Sequence, residues 1–105
     1  MSEKYNVILS IKAEKDLTNI VSYIKDDLKE PNIAKKYAKI LRTEIESLEY
    51  FPQKYSIIDN EKIKDLNMRK HIIKNYITFY RINEEKKTVN VDRIIYGASD
   101  WINKL

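Results

Sequence analysis

Cysteine is absent from this chain. That excludes disulfides, thiolate nucleophiles and zinc–thiolate sites together. Histidine occurs once, at His71, so no histidine cluster can gather a metal; no metal and no cofactor is expected. Glycine also occurs once, at Gly97. A phosphate-cradling loop or a dinucleotide fingerprint needs several glycines, and both are excluded. No run approaches the roughly 20 apolar residues of a membrane span. The opening MSEKYNV has no apolar signal region, so a cytoplasmic protein without a membrane partner is expected. Internal repeats and low-complexity segments are missing as well.

What the chain does have is charge on an apolar frame. It is 43% hydrophobic, 34% charged and formally +4 over 105 residues. These values suit one small domain, residues 1–105, with a real core. A basic excess favours polyanions: nucleic acid, the ribosome or an acidic protein. On composition alone a lysine-rich solvated surface is the better account.

The patterning gives an element order. Residues 5–11 form a short apolar β-type run, and Ser10 can cap a helix starting just after it. Over residues 13–28 the apolar positions Ala13, Leu17, Ile20, Val21, Ile24 and Leu28 fall on one helical stripe. Lys29 to Asn32 break the pattern, and Pro31 suits the first turn of a new helix. Residues 32–50 repeat the period through Ile33 or Ala34, Tyr37, Ala38, Leu41, Ile45 and Leu48. Phe51-Pro52 stops this helix, because a residue before proline avoids the α region. Residues 53–65 read as a polar, nearly neutral connection. Three β-type runs come next, MRKHII, NYITFYRI and TVNVDRIIYG, the last two joined by the short turn Glu84 to Lys87. The tail, residues 98–105, has Trp101 as an anchor. The order β-α-α-β-β-β predicts an α+β fold in which a helical hairpin packs on a small, mainly antiparallel twisted sheet.

The meander is the part that carries candidate chemistry. Arg69, Lys70, His71, Lys74, Arg81 and Arg93 are threaded through it, and cations on a fixed frame suit an anionic partner. Each also has a structural reading. Arg69 and Lys70 could contact phosphate or merely charge an edge strand against aggregation. His71 titrates near neutrality, yet a lone strand histidine is more often a filler. Arg81 has Asn90 or Asp92 as an expected cross-strand partner. Arg93 shares strand parity with Val89, Val91 and Ile95, and an arginine on an apolar face needs a partner. Tyr76, Phe79 and Tyr80 could stack on bases, although an aromatic strand face is more often core.

Taken together the residues resemble a family. The opening Y5-x-V-x-x-S10-x-x-A13-x-x-D16-L17-x-x-I20-x-x-Y23-I24 looks like the start of the RelE/ParE toxin superfamily. The helix end I45-x-S47-L48-x-x-F51-P52, the strand N75-Y76-I77-T78-F79-Y80-R81-I82 and the closing R93-I94-I95-Y96-G97-A98-S99-D100-W101 are similar too, in the family's order. The resemblance spans about residues 5–101. It implies a toxin of a type II toxin–antitoxin module, held inactive by an acidic antitoxin that wraps its helices and sheet. The family implies two targets. RelE-like members enter the ribosomal A site and cut mRNA, whereas ParE-like members poison DNA gyrase.

The ribonuclease branch needs a base, cations for the crowded phosphate and an acid. If that chemistry applies, the resemblance implies Arg69, Lys70 and Arg93 as catalytic residues. Two positions depart from what the resemblance implies: Ile77 stands where arginine is frequent in that branch after the strand tyrosine, and Ser99 where arginine is common across the family two residues after the glycine. No C-terminal tyrosine matches that branch's catalytic one; Tyr96 is near but displaced. These departures favour gyrase inhibition over mRNA cleavage, with a decayed toxin that keeps only antitoxin binding as a third case. Arg69, His71, Arg81 and Tyr96 are the expected target contacts and Trp101 an expected antitoxin contact. Operator reading is expected of the antitoxin, so no DNA-reading residue is assigned.

Overall fold

The computed structural model describes residues 4–105. Strand β1 (Asn6–Leu9) leads into helix α1 (Ile11–Ser22) and a π turn (Tyr23–Asp27). Helix α2 (Pro31–Glu46) returns antiparallel to it, and β2 (Arg69–Ile73), β3 (Tyr76–Asn83) and β4 (Thr88–Tyr96) complete the chain order. The sheet runs β1-β4-β3-β2. Its β2–β3 and β3–β4 pairs are antiparallel, and β1 joins β4 in parallel across the helical hairpin. The fold is α+β, as the patterning predicts.

Ser10 ties the first strand to the first helix. Its hydroxyl accepts from the Ala13 amide at 2.9 Å, satisfying one of the amides a helix start leaves open, and donates to the Asp92 carbonyl at 2.8 Å. Ala13, Leu17 and Ile20 bury the inner stripe of α1. The stripe does not extend to Leu28, which is half exposed. The π turn is the reason: the Leu28 amide bonds the Tyr23 carbonyl, five residues back, at 3.1 Å. One extra residue per turn rotates the later side chains off the apolar face.

In α2 the core positions are Ala34, Leu41 and Ile45, whereas Ile33 is largely outside. The helix passes into a 3₁₀ turn, Ser47–Glu49, around fully buried Leu48. Phe51 avoids the right-handed α region by turning left-handed (φ 57°, ψ 53°), and Pro52 opens the next short turn. A bulky aromatic in that conformation is uncommon. It is held from below, where buried Tyr80 donates to the Pro52 carbonyl at 2.6 Å.

The main core lies between the helices and one face of the sheet, with Tyr76, Tyr80, Val89, Val91 and Ile94 rising to meet Leu17, Leu41 and Leu48. A second, smaller core covers part of the opposite face. Ile58 and Ile63 from the supposedly polar connection pack there with Met68, Ile77, Phe79 and Ile95, and Trp101 and Ile102 close it. Among so many charges those two isoleucines show no period, so patterning cannot reveal them; the Ile58 amide to Met68 carbonyl bond, 2.8 Å, folds the segment underneath.

A β-bulge divides the two cores. Phe79 pairs with Arg93 but Tyr80 pairs with Val91, leaving Asp92 as an extra residue in β4. Strand parity therefore inverts at Asp92. Val89 and Val91 face the helices, while Arg93 and Ile95 face the other way, so the shared parity expected of these four residues fails at the bulge.

Candidate functional site

The structure brings the sheet's cations to one frame but engages most of them there. Arg93 makes a bidentate pair with Asp16 of α1, 2.7 Å from Nε and 3.0 Å from Nη2, and its Nη1 donates to the Lys104 carbonyl of the tail. Asp16 also accepts from the Ile94 amide at 2.9 Å. Both side chains of the pair are mostly covered. Hydrogen bonding to Asp16 raises the Arg93 pKa above its ordinary value, outweighing burial. Arg81 pairs with Asp92, two strands' worth of rigid backbone holding the fork at 2.7 and 2.8 Å, and its pKa is raised by that bond for the same reason.

Arg69 points toward the loop after α2. Its Nη1 donates to the carbonyls of Tyr55, at 2.7 Å, and Gln53, at 3.2 Å, which fixes the segment under which Tyr80 sits. Lys70 lies on the far face with its ammonium 5.6 Å from the Trp101 ring centre. Trp101 in turn packs on Phe79, ring centres 5.2 Å apart. Trp101 thus joins the tail to the second core.

His71 faces the helices and is buried. Its ring stacks on Tyr55 at 3.9 Å and its Nε2 lies 3.3 Å from Glu44 Oε2 of α2. Burial lowers its pKa below the ordinary value, although Glu44 pulls the other way. Burial likewise raises the phenols of Tyr55, Tyr76 and Tyr80. Those three phenols are thus held away from phenolate, and the one imidazole sits beneath α2, away from Arg93 and Lys70. Among the described residues no group of acids and histidine could hold a metal ion. No helix there is long and apolar enough to cross a membrane.

A different surface is open. Where the helical hairpin turns over the ends of β3 and β4, a groove of about 640 Å³ is lined by Tyr23, Leu28, Ile33, Tyr37, Tyr76 and Tyr96, with Asn19, Asn75 and Glu30 at its margins. The π turn builds one wall by turning Tyr23 and Leu28 outward. Tyr76 forms the floor, edge-on to Tyr37 at 6.4 Å and to Tyr96 at 5.8 Å. Gly97 comes after Tyr96 because the backbone there closes onto β3: its amide bonds the Asn75 carbonyl at 2.8 Å, and a Cβ would stand 3.3 Å from that oxygen. Of the expected target and antitoxin contacts Tyr96 alone belongs to this groove, and Tyr76, weighed as a base-stacking residue, is its floor. The remaining lining was missed from sequence because its tyrosines sit in different elements; the concentration of eight tyrosines against two phenylalanines was the one available hint.

A small α+β chain with a sheet closed by ion pairs and an open apolar groove defines a partner-binding protein class. The family is shown directly: residues 7–101 match the model for the ParE toxin of the type II toxin–antitoxin system parDE, and the chain belongs to that toxin family. Among solved structures it is similar to a chain of the chromosomal ParDE toxin–antitoxin system from P. aeruginosa, with TM-score 0.72 and 18% identity, over 90% of this chain and 98% of that one. It also resembles a chain of the RelBE2 toxin–antitoxin complex from Mycobacterium tuberculosis, with TM-score 0.62 and 20% identity, over 91% and 94%. A search among curated proteins returns no match.

Proposed function

We propose that this toxin acts as an inhibitory binding protein on DNA gyrase in the cytoplasm, and that a cognate acidic antitoxin neutralises it. The observation that carries the reading is the engagement of the sheet's arginines. Transesterification of RNA needs a titratable group beside cations free to meet developing phosphate charge. Here Arg93 is forked onto Asp16, Arg81 onto Asp92, and Arg69 onto loop carbonyls, while His71 is buried with Glu44 under α2. Ile77, at a position where the resemblance made arginine frequent in the cutting branch, fills the second core.

The tyrosine groove is the surface that suits the antitoxin. Tyrosine offers a broad apolar face with one polar tip and little rotamer freedom to lose, which is why it anchors interfaces. A segment with apolar side chains at helical spacing would seat in it, and acidic flanks would meet the basic surface outside. On the far face of the sheet Lys70 of β2 and Trp101 of the tail, 5.6 Å from ammonium to ring centre, offer a second surface against which a wrapping segment can lie.

The test uses toxin freed of antitoxin. Added to gyrase and relaxed plasmid, it is expected to block supercoiling; added to a translating extract, it should leave the message intact by primer extension. New 5′ ends at codon spacing that depend on ribosomes would overturn the reading and make Arg69, Lys70 and Arg93 the residues to substitute first.

A further inference from the structure

The outer face of α2 carries a charge pattern that neither the gyrase reading nor the groove uses. Lys35, Lys39 and Arg42 are spaced i, i+4 and i+7, so they stand in one row, and Lys36 flanks it. All four are exposed. None makes a hydrogen bond or ion pair among the described residues, in contrast to the arginines of the sheet. The exposed neighbours at either end of the row are Asn32 and Thr43, and the only carboxylate in line is Glu46 at the helix's C-terminal end. Helix α1 with its π turn differs: three lysines there are mixed with four carboxylates. Four of the chain's 20 cations are thus gathered on one strip of helix.

We propose that this strip holds the sugar–phosphate backbone of duplex DNA, independent of sequence. Charge complementarity fixes the sign of the partner. The composition of the strip selects its class. A protein partner is anchored by aromatic or large apolar side chains, and the strip has none; those of α2, Ile33 and Tyr37, lie on the opposite flank in the groove. Phosphate contacts instead use lysine, arginine, asparagine and threonine, the four residue types present. From Lys35 to Arg42 the helix rises about 10.5 Å. That length lets the row face successive phosphates of one strand without bending. With Glu44 directed inward to His71, the strip presents no carboxylate along that length. The proposal stands apart from the identity of the toxin's target.

Anisotropy of a labelled 24-base-pair duplex of arbitrary sequence, titrated with the full chain from about 50 to 200 mM salt, decides it. Each phosphate neutralised contributes about −0.9 to the slope of log affinity against log salt, so a slope near −3 to −4 is expected. Replacing Lys35, Lys36, Lys39 and Arg42 together by Gln should weaken binding at least tenfold and flatten the slope. The control, Lys12, Lys15, Lys64 and Lys86 to Gln, removes the same charge elsewhere and should keep the slope. Circular dichroism must show both variants folded; if the first is not, Arg42→Gln alone should lower the slope by about one. No binding at 50 mM salt, or an equal loss in the control, would overturn the proposal. Tighter binding of poly-L-glutamate than of the duplex at equal charge would also overturn it, in favour of an acidic polypeptide on the same face.

Discussion

The cations of the sheet and the cations of α2 have the same chemistry and opposite circumstances. Arg93, Arg81 and Arg69 meet carboxylates or carbonyls at 2.7 to 3.2 Å, and each braces a junction: tail to α1, β3 to β4, loop to β2. Lys35, Lys36, Lys39 and Arg42 brace nothing. A strand in the sheet has a neighbouring strand, helix or loop within reach of its side chains, so a guanidinium placed there finds acceptors. The outer row of a two-helix layer has solvent. Position in the layer separates these structural arginines from the cations available to a partner.

The contrast can be attacked where the sheet is most heavily built. Phe79 is fully buried between Ile77 and Trp101 in the second core, so Phe79→Ala should cost about 3–5 kcal/mol, read by urea unfolding. A cost under about 1 kcal/mol would mean that the far face is not closed as described. Next in size, Arg93→Ala leaves Asp16 with one partner fewer in a poorly solvated place and releases the Lys104 carbonyl; about 2–3 kcal/mol is expected for a partly buried pair. A double-mutant cycle with Asp16→Asn should recover most of it as coupling.

A pH titration sharpens the same point at His71. Its folded pKa is depressed below the ordinary 6.5, chiefly by burial. The unfolded chain therefore binds the proton first, and stability falls as pH drops below about 6.5 toward the folded value; above 6.5 this contribution is constant. His71→Gln should remove that slope. A slope of the opposite sign would mean that Glu44 outweighs burial.

Smaller effects complete the series. Arg81 is about half exposed, so Arg81→Ala should cost less than about 1 kcal/mol despite its good fork. On α2, replacing Lys35 or Lys39 by Gln should change stability by no more than about 0.5 kcal/mol, and in the stabilising direction if their like charges repel. A loss above about 1 kcal/mol at either lysine would erase the distinction between the two sets of cations.

Much of this was legible without coordinates, for reasons that differ by element. Apolar positions at helical spacing placed both helices, since the stripe that faces a core must recur every 3.6 residues. Ser10 announced its cap and Pro31 the start of α2, because both act through the adjacent backbone alone. Arg81 could be matched to Asp92 because a short turn fixes the register of a hairpin. Leu28 was misplaced because a π turn inserts a residue with no signature of its own. The facing of Arg93 was hidden by a bulge, which is set by the residues packed against β4 and not by β4's own.

What the sequence determined by itself is the list of elements, the order β-α-α-β-β-β, the toxin superfamily and the lack of thiols, of a histidine cluster and of a glycine-rich loop, all of which depend on local spacing or on residues being there at all. Tertiary structure alone decided which cations are engaged, that Ile58 and Ile63 close the far face, and that tyrosines from α1's π turn, α2, β3 and β4 meet in one groove. Those outcomes depend on residues up to 77 positions apart, as Asp16 and Arg93 are, and a contact at that separation is fixed by how the layers stack, which no window of sequence contains.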